Sequence, residues 1–240
     1  MTPPLIEVHP DAPTLATAVA GELIARLEAA QASGNVPQIG LTGGTIADAV
    51  HHELARLSPA SEVDWKRVVV WFGDERFVAP DSPERNAAQA RAAFLDIVGA
   101  REVYEMASTA DADDVDAGAA AYGASLREKG AGQFDVLMLG VGPDGHIASL
   151  FPGHAALQAD KRMVVGVTDS PKPPHARISL TFGALNRAES VWFLASGAAK
   201  APAVAASLAA EGSVADTPAR GVSGRDETVW FLDTEAASLL

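Results

Sequence analysis

The residues best equipped for proton chemistry stand together in residues 134–152, Phe-Asp-Val-Leu-Met-Leu-Gly-Val-Gly-Pro-Asp-Gly-His-Ile-Ala-Ser-Leu-Phe-Pro. An imidazole titrates near neutral pH, so His146 is a candidate base for taking a proton from water. A carboxylate two residues earlier, Asp144, can orient the ring or favour its charged form. A plainer arrangement fits the same spacing: His146 starts a helix and Asp144 caps a turn. The loop also holds Gly140-Val141-Gly142-Pro143-Asp144-Gly145, a literal G-x-G-x-x-G that invites a dinucleotide reading. Three features weigh against that reading. The motif lies past mid-chain, Pro143 removes a backbone donor where donors are needed, and no acidic residue clearly ends the next strand.

Four other segments could serve an anionic ligand. Leu41-Thr42-Gly43-Gly44-Thr45 runs from a strand through glycines into a helix. Gly43 and Gly44 let the backbone approach a ligand, and the helix start at Thr45 offers free N–H groups to a phosphate. The alternative is an ordinary turn with Thr45 as N-cap and Asp48 as its capping-box partner. Trp71-Phe72-Gly73-Asp74-Glu75-Arg76 ends another strand, where Arg76 could clamp a phosphate or a developing oxyanion. Three charges after a strand also suit a solvated turn. Lys172-Pro173-Pro174-His175-Ala176-Arg177 and Ser196-Gly197-Ala198-Ala199-Lys200 bring basic groups, of which Lys200 follows a strand and could reach the same cleft.

Other chemistries find no support. His52-Glu53 has no second histidine four residues after His52, so the zinc-protease pattern fails, and His51 and His52 would point apart on a helix. There is no G-x-S-x-G elbow and no Walker A loop. The absence of cysteine excludes disulfides, thiolate metal sites and cysteine nucleophiles.

Positioning these groups requires strands that end where the chemistry begins. Apolar strand candidates cover residues 36–41, 67–72, 134–139, 163–167, 190–195 and 228–232. Several are continuously apolar, as expected for strands covered on both faces. Helical patterns fill residues 12–32, 45–57, 83–97, 113–128 and 199–210, with loops at 108–116 and 211–218. This alternation predicts an α/β fold, a mostly parallel sheet with helices on both faces, within a single domain over residues 1–240. Ligands of such sheets gather beyond the carboxyl ends of the strands.

The chain has 240 residues, 48% of them hydrophobic, and a net charge of −13. So acidic a surface repels nucleic acid. An anionic small molecule needs cations concentrated in a cleft. No signal peptide and no membrane-spanning run is evident, so the cytoplasm is the expected location and no membrane partner is expected.

Together the segments resemble the 6-phosphogluconolactonase branch of the glucosamine-6-phosphate isomerase/6-phosphogluconolactonase family. The resemblance rests on residues 139–153 and on Gly73-Asp74-Glu75-Arg76 with Asn86 downstream. It extends to Arg177-Ile178-Ser179-Leu180-Thr181, residues 197–200, and the closing Trp230-Phe231-Leu232-Asp233 with Ala236-Ala237. It implies a Rossmann-like three-layer domain that hydrolyses 6-phospho-D-glucono-1,5-lactone to 6-phospho-D-gluconate in the oxidative pentose phosphate pathway. It implies no cofactor and no catalytic metal, and a monomer is the expectation. His146 looks like the base that activates water, supported by Asp144, with Arg76 in the catalytic set. Gly43, Gly44 and Thr45 would hold the phosphate with Arg76, Arg177 and Lys200.

The first loop departs from the family's Ser-Gly-Gly-Ser-Thr-Pro. Here Ile46 loses a hydroxyl and Ala47 replaces proline, so a side-chain phosphate contact at position 46 is removed while backbone contacts survive. Arg85 stands where serine is usual and is expected to add positive charge beside Asn86. The nearest alternative is a glucosamine-6-phosphate deaminase-like enzyme, in which the loop typically continues Phe-Asn-Glu-Pro. Here it reads Ser149-Leu150-Phe151-Pro152, and Phe151 can do no proton work. A non-catalytic sugar-phosphate-binding module and a nicotinamide-dependent enzyme are the remaining alternatives.

Overall fold

A computed structural model describes residues 3–129, 133–159 and 161–240. The chain runs β1 (Leu5–His9), α1 (Ala12–Ala32), β2 (Gln38–Leu41), α2 (Thr45–Leu57), β3 (Val69–Phe72) and β4 (Asp74–Arg76). It continues α3 (Asn86–Ala90), a π turn (Arg91–Leu95), α4 (Asp96–Val98), β5 (Glu102–Val103), α5 (Val115–Glu128) and β6 (Val136–Gly140). The last part is β7 (Val164–Val167), β8 (Arg177–Leu180), α6 (Phe182–Leu185), β9 (Ser190–Ala195), α7 (Ala201–Leu208) and β10 (Glu227–Asp233).

Seven strands form a parallel sheet in the order β1-β10-β9-β6-β2-β3-β5. Successive side chains of a strand point to opposite faces, so a fully covered strand feeds two cores. In β6, Leu137 and Leu139 enter one apolar cluster while Val136 and Met138 enter the other. Val191 and Phe193 of β9 oppose Trp192 and Leu194 in the same way, and Trp230 and Leu232 of β10 oppose Val229 and Phe231. Residues of α1, α2 and α3 cover one face; residues of α5 and α7 cover the other. The parallel α/β sheet expected from the alternating pattern is therefore present.

One expected strand lies elsewhere. Residues 163–167 were expected in the parallel sheet, but β7 belongs to a separate antiparallel sheet of order β4-β8-β7. Its apolar run reflects packing against the α5 side of the core, which cannot be told from parallel burial by composition. β1, β4, β5 and β8 are additional to the expected strands. β1 is an edge strand with Leu5, Ile6 and Val8 exposed, and β4 is a three-residue charged strand that reads as a turn. Strand starts also shift: β2 begins at Gln38 rather than 36, and residues 65–67 form a 3₁₀ turn ahead of β3.

Candidate active site

β2 and β6 are neighbours, but the chain departs from them in opposite directions, to β3 and β5 on one side and to β9, β10 and β1 on the other. Loops diverge at such a switch point and leave a crevice beyond the strand ends. A cleft of about 430 Å³ opens there. Gly43, Gly44, Thr45, Arg76, His146, Arg177 and Lys200 all line it, with Asn86 and Lys172. Asp144 completes the set from beside His146, so the candidate catalytic and phosphate-binding residues meet at one place, while Arg85 does not join them.

The β2–α2 turn resolves one open choice. Gly44, with φ +102°, is the N-cap of α2, and no side chain caps that turn. Thr45 is thus the first helical residue, which corrects the capping-box alternative. Asp48 donates its backbone N–H to Gly44 O at 2.9 Å, and its carboxylate lies 3.5 Å from His52 Nδ1. First-turn N–H groups therefore meet the cleft without an internal side-chain acceptor, the arrangement that receives an anion. Gly43 is required for a different reason: a Cβ there would stand 1.9 Å from Asn86 Oδ1 and 3.2 Å from Arg76 NH1.

Arg76 comes from the small sheet. Its guanidinium donates to Asn86 Oδ1, and Asn86 Nδ2 donates to Asp74 O at 2.9 Å. The Glu75 carboxylate holds this corner together, accepting from the backbone N–H groups of Arg76, Asn86 and Ala87 at 2.8–2.9 Å. Burial pushes the Glu75 carboxyl up against those hydrogen bonds and the nearby Arg85 charge. Asp74 accepts from Ser149 Oγ at 2.7 Å, tying this sheet to the histidine loop. Arg85 corrects an expectation. It is buried, donates to Met106 O at 2.7 Å and lies 4.0 Å from Glu75, so it does not line the cleft.

Arg76 and Arg177 are register partners across β4 and β8. Like charges directly opposite each other are unfavourable in a sheet, and an anion between them relieves the repulsion. Arg177 Nε donates to Pro174 O at 3.1 Å, and NH2 donates to Lys172 O at 3.1 Å and Pro173 O at 3.2 Å. Burial is the main cause that holds Arg177 below the usual guanidinium range; Asp74 opposes it and Arg76 adds to it. Lys200 Nζ donates to Val141 O at 2.6 Å. Burial and then Lys172 hold its ammonium below the ordinary lysine range, against Asp144.

The histidine loop closes on itself. Gly142 N–H donates to His146 O at 2.8 Å and Gly145 N–H to Gly142 O at 2.9 Å. Gly145 needs its glycine for φ +80°. Those two donors are consumed inside the loop, and Pro143 has none, so the G-x-G-x-x-G cannot cradle a pyrophosphate as a dinucleotide loop does. His146 Nδ1 is hydrogen-bonded to Asp144 Oδ1, and its ring packs at 4.6 Å on buried Phe151. Partial burial opposes ionisation of Asp144, but the His146 hydrogen bond and charge, with Lys172, hold that carboxyl well below the usual range. A carboxylate acceptor at Nδ1 places the proton there and leaves Nε2 as the basic nitrogen.

Lys172 also lines the cleft, a role that its basic segment alone does not single out. Its Nζ lies 3.4 Å from Asp144 Oδ1 and 3.3 Å from His146 Nδ1. Position in a proline-rich loop disguised it; the signal was a lysine five residues before an arginine that also enters the cleft.

A doubly wound α/β sheet with a histidine–carboxylate pair and cations at its switch point defines an enzyme class that handles small anionic substrates. The chain belongs to the glucosamine-6-phosphate isomerase/6-phosphogluconolactonase family, whose model matches residues 10–230. It is 45% identical to the 6-phosphogluconolactonase of Streptomyces coelicolor, over 100% of this chain and 95% of that one. It is 42% identical to that of Mycobacterium tuberculosis, over 98% of each. The 6-phosphogluconolactonase structure from Trypanosoma brucei superposes with a TM-score of 0.82 at 28% identity, covering 99% and 98%. A monomeric glucosamine-6-phosphate deaminase shares the fold at a TM-score of 0.83 and 20% identity, covering 98% and 100%.

Proposed function

We propose that this chain hydrolyses 6-phospho-D-glucono-1,5-lactone to 6-phospho-D-gluconate, the lactone-opening step of the oxidative pentose phosphate pathway, with His146 as general base. The observation that carries the reading is the convergence, in one cleft, of the His146–Asp144 pair with an uncapped helix start and several cations. In this reading the phosphate lies at Gly43, Gly44 and Thr45, with Arg76, Arg177 and Lys200 supplying positive charge, and the lactone ring extends toward His146.

Nε2 of His146 takes a proton as the water oxygen bonds to C1, and the carbonyl electrons move onto its oxygen. The neighbouring cations stabilise that oxyanion. Asp144 holds the imidazolium through Nδ1–H. Collapse of the intermediate breaks the bond between C1 and the ring oxygen, and the Nε2 proton passes to the departing oxygen. Atoms and charge balance, and the base is regenerated. Phe151, apolar and buried against His146, offers no acid for a deaminase.

The test is lactone opening by the purified protein, measured against the spontaneous rate. Turnover well above background is expected, and His146→Ala is expected to lose on the order of 10²–10⁴-fold. A rate equal to buffer overturns the function; an unchanged variant overturns the role of His146.

A further inference from the structure

We propose that Lys172 is a positioning residue that acts through His146, holding the imidazole in its neutral, water-activating form by sharing the carboxylate of Asp144. The proposal deepens the lactonase reading and rests on His146 being the base.

Asp144 alone would favour the imidazolium, because an opposite charge stabilises the protonated ring. A base that is already protonated cannot take a proton from water. Asp144 Oδ1 faces two cationic or potentially cationic groups: His146 Nδ1 and Lys172 Nζ, the latter at 3.4 Å. Lys172 Nζ also lies 3.3 Å from His146 Nδ1. An ammonium group has donors only, so next to a protonated imidazole it is purely repulsive. Lys172 therefore offsets the pull of Asp144 on the imidazolium, while Asp144 Oδ1, though shared, still meets Nδ1.

The other charged groups around the ring do not duplicate this effect. Lys200, from the start of α7, is committed to Val141 O. Arg177, from β8, stands 5.7 Å over the Phe151 ring. Phe151 itself is apolar.

The loop carrying Lys172 is built to hold it. Arg177 ties down the carbonyls of residues 172, 173 and 174. Ser170 Oγ donates to Lys172 O at 2.9 Å, and His175 Nδ1 is hydrogen-bonded to Ser170 O at 2.6 Å. At the loop's start Asp169 is bonded to His154 Nε2 at 2.6 Å. A lysine that only needed to meet bulk solvent would have no use for so many anchors.

The experiment compares wild type, Lys172→Met and Lys172→Arg in two measurements. The first is the pH profile of kcat/KM for lactone opening. Removing a cation at this distance in a half-exposed site moves the acid limb of Lys172→Met up by about one pH unit, a roughly tenfold loss of rate below the limb. Lys172→Arg is expected to restore the wild-type limb. The second is an NMR titration of the His146 imidazole C–H in the free protein, which needs neither substrate nor turnover. Its midpoint is expected to move upward in Lys172→Met alone.

An acid limb that stays in place while KM rises makes Lys172 a plain substrate contact and overturns the proposal, as does a downward shift in either measurement. A wild type without lactone turnover overturns the lactonase reading. The imidazole titration in that case still decides whether Lys172 governs His146.

Discussion

Gly142→Ala probes the histidine loop without removing a polar group. A Cβ at position 142 would lie 1.9 Å from His146 Nδ1, 2.1 Å from its Cε1 and 2.4 Å from Asp144 Oδ1. Non-bonded heavy atoms need roughly 3.5 Å, so the ring must move by about 1.5 Å. The ring also packs at 4.6 Å on buried Phe151, which limits the directions open to it. Either way the imidazole and the Asp144 carboxylate are forced from their present pairing. A misplacement of about 1 Å costs on the order of 10²-fold in rate, so kcat is expected to fall by about 10²–10³-fold. Binding of 6-phosphogluconate should change less than about threefold, because the proposed phosphate site at residues 43–45 follows another strand and uniform binding is separate from the chemical step. The backbone at Gly142 does not take a positive φ, so alanine introduces no backbone strain and the fold should persist. Steady-state kinetics and product calorimetry on the same preparation give both numbers. Gly21→Ala is the control: nothing lies within 4 Å of that Cβ, and activity should be unchanged. A Gly142→Ala enzyme with kcat within threefold of wild type would refute the placement of His146 as base.

Two further predictions concern pH. As pH rises through the lowered pKa of Lys200, the cleft loses a cation and KM should climb at a pH below the ordinary lysine range; Lys200→Arg should abolish that climb, and a KM flat with pH in wild type would count against Lys200 as a phosphate contact. His51 is buried on α2 against Phe94, at 5.0 Å, and burial, with a smaller contribution from His52, holds it down to about 3 from 6.5. Its folded-state pKa is depressed, so the unfolded chain binds the extra proton and stability falls as pH drops below about 6.5. The loss at pH 5 is about 2 kcal/mol. Urea unfolding at pH 7 and pH 5 should show this difference in wild type and not in His51→Leu; equal pH dependence in both would remove His51 as its cause.

Much of the site was legible because its residues sit directly after strands. Gly43, Arg76, His146 and Lys200 follow β2, β3, β6 and β9 closely, so locating apolar runs located the cleft. The small antiparallel sheet was not legible. β4 is three charged residues and β8 a mixed stretch, and only their mutual pairing makes them strands. The facing of Arg76 and Arg177 is thus a tertiary fact with no local trace. The role of Gly142 was equally hidden: in sequence it joins a phosphate-loop pattern, whereas in space it is the floor under an imidazole. Arg85 misled for the converse reason. Proximity to Asn86 along the chain suggested charge for the cleft, but its long side chain turns inward to the carbonyls of Met106 and Ala107.

The junction between β2 and β6 has a consequence for how the chain acquires activity. The two strands share only the register pairs Ile39–Val136 and Gly40–Leu137, closed by a 2.6 Å bond from Gln38 N–H to Asp135 across 97 residues. Gly40 admits Leu137 there, since a Cβ would lie 2.3 Å from its Cδ1. Everything from β2 to β5 can collapse as one local unit, and the stretch around β6, β9 and β10 as another. Closing a long loop is the slow, entropically opposed part of assembling such a sheet. His146 and the turn at residues 43–45 sit on opposite banks of that closure. That turn and the His146 loop, with Arg177 and Lys200, are therefore brought to one cleft only once that long-range pairing has formed.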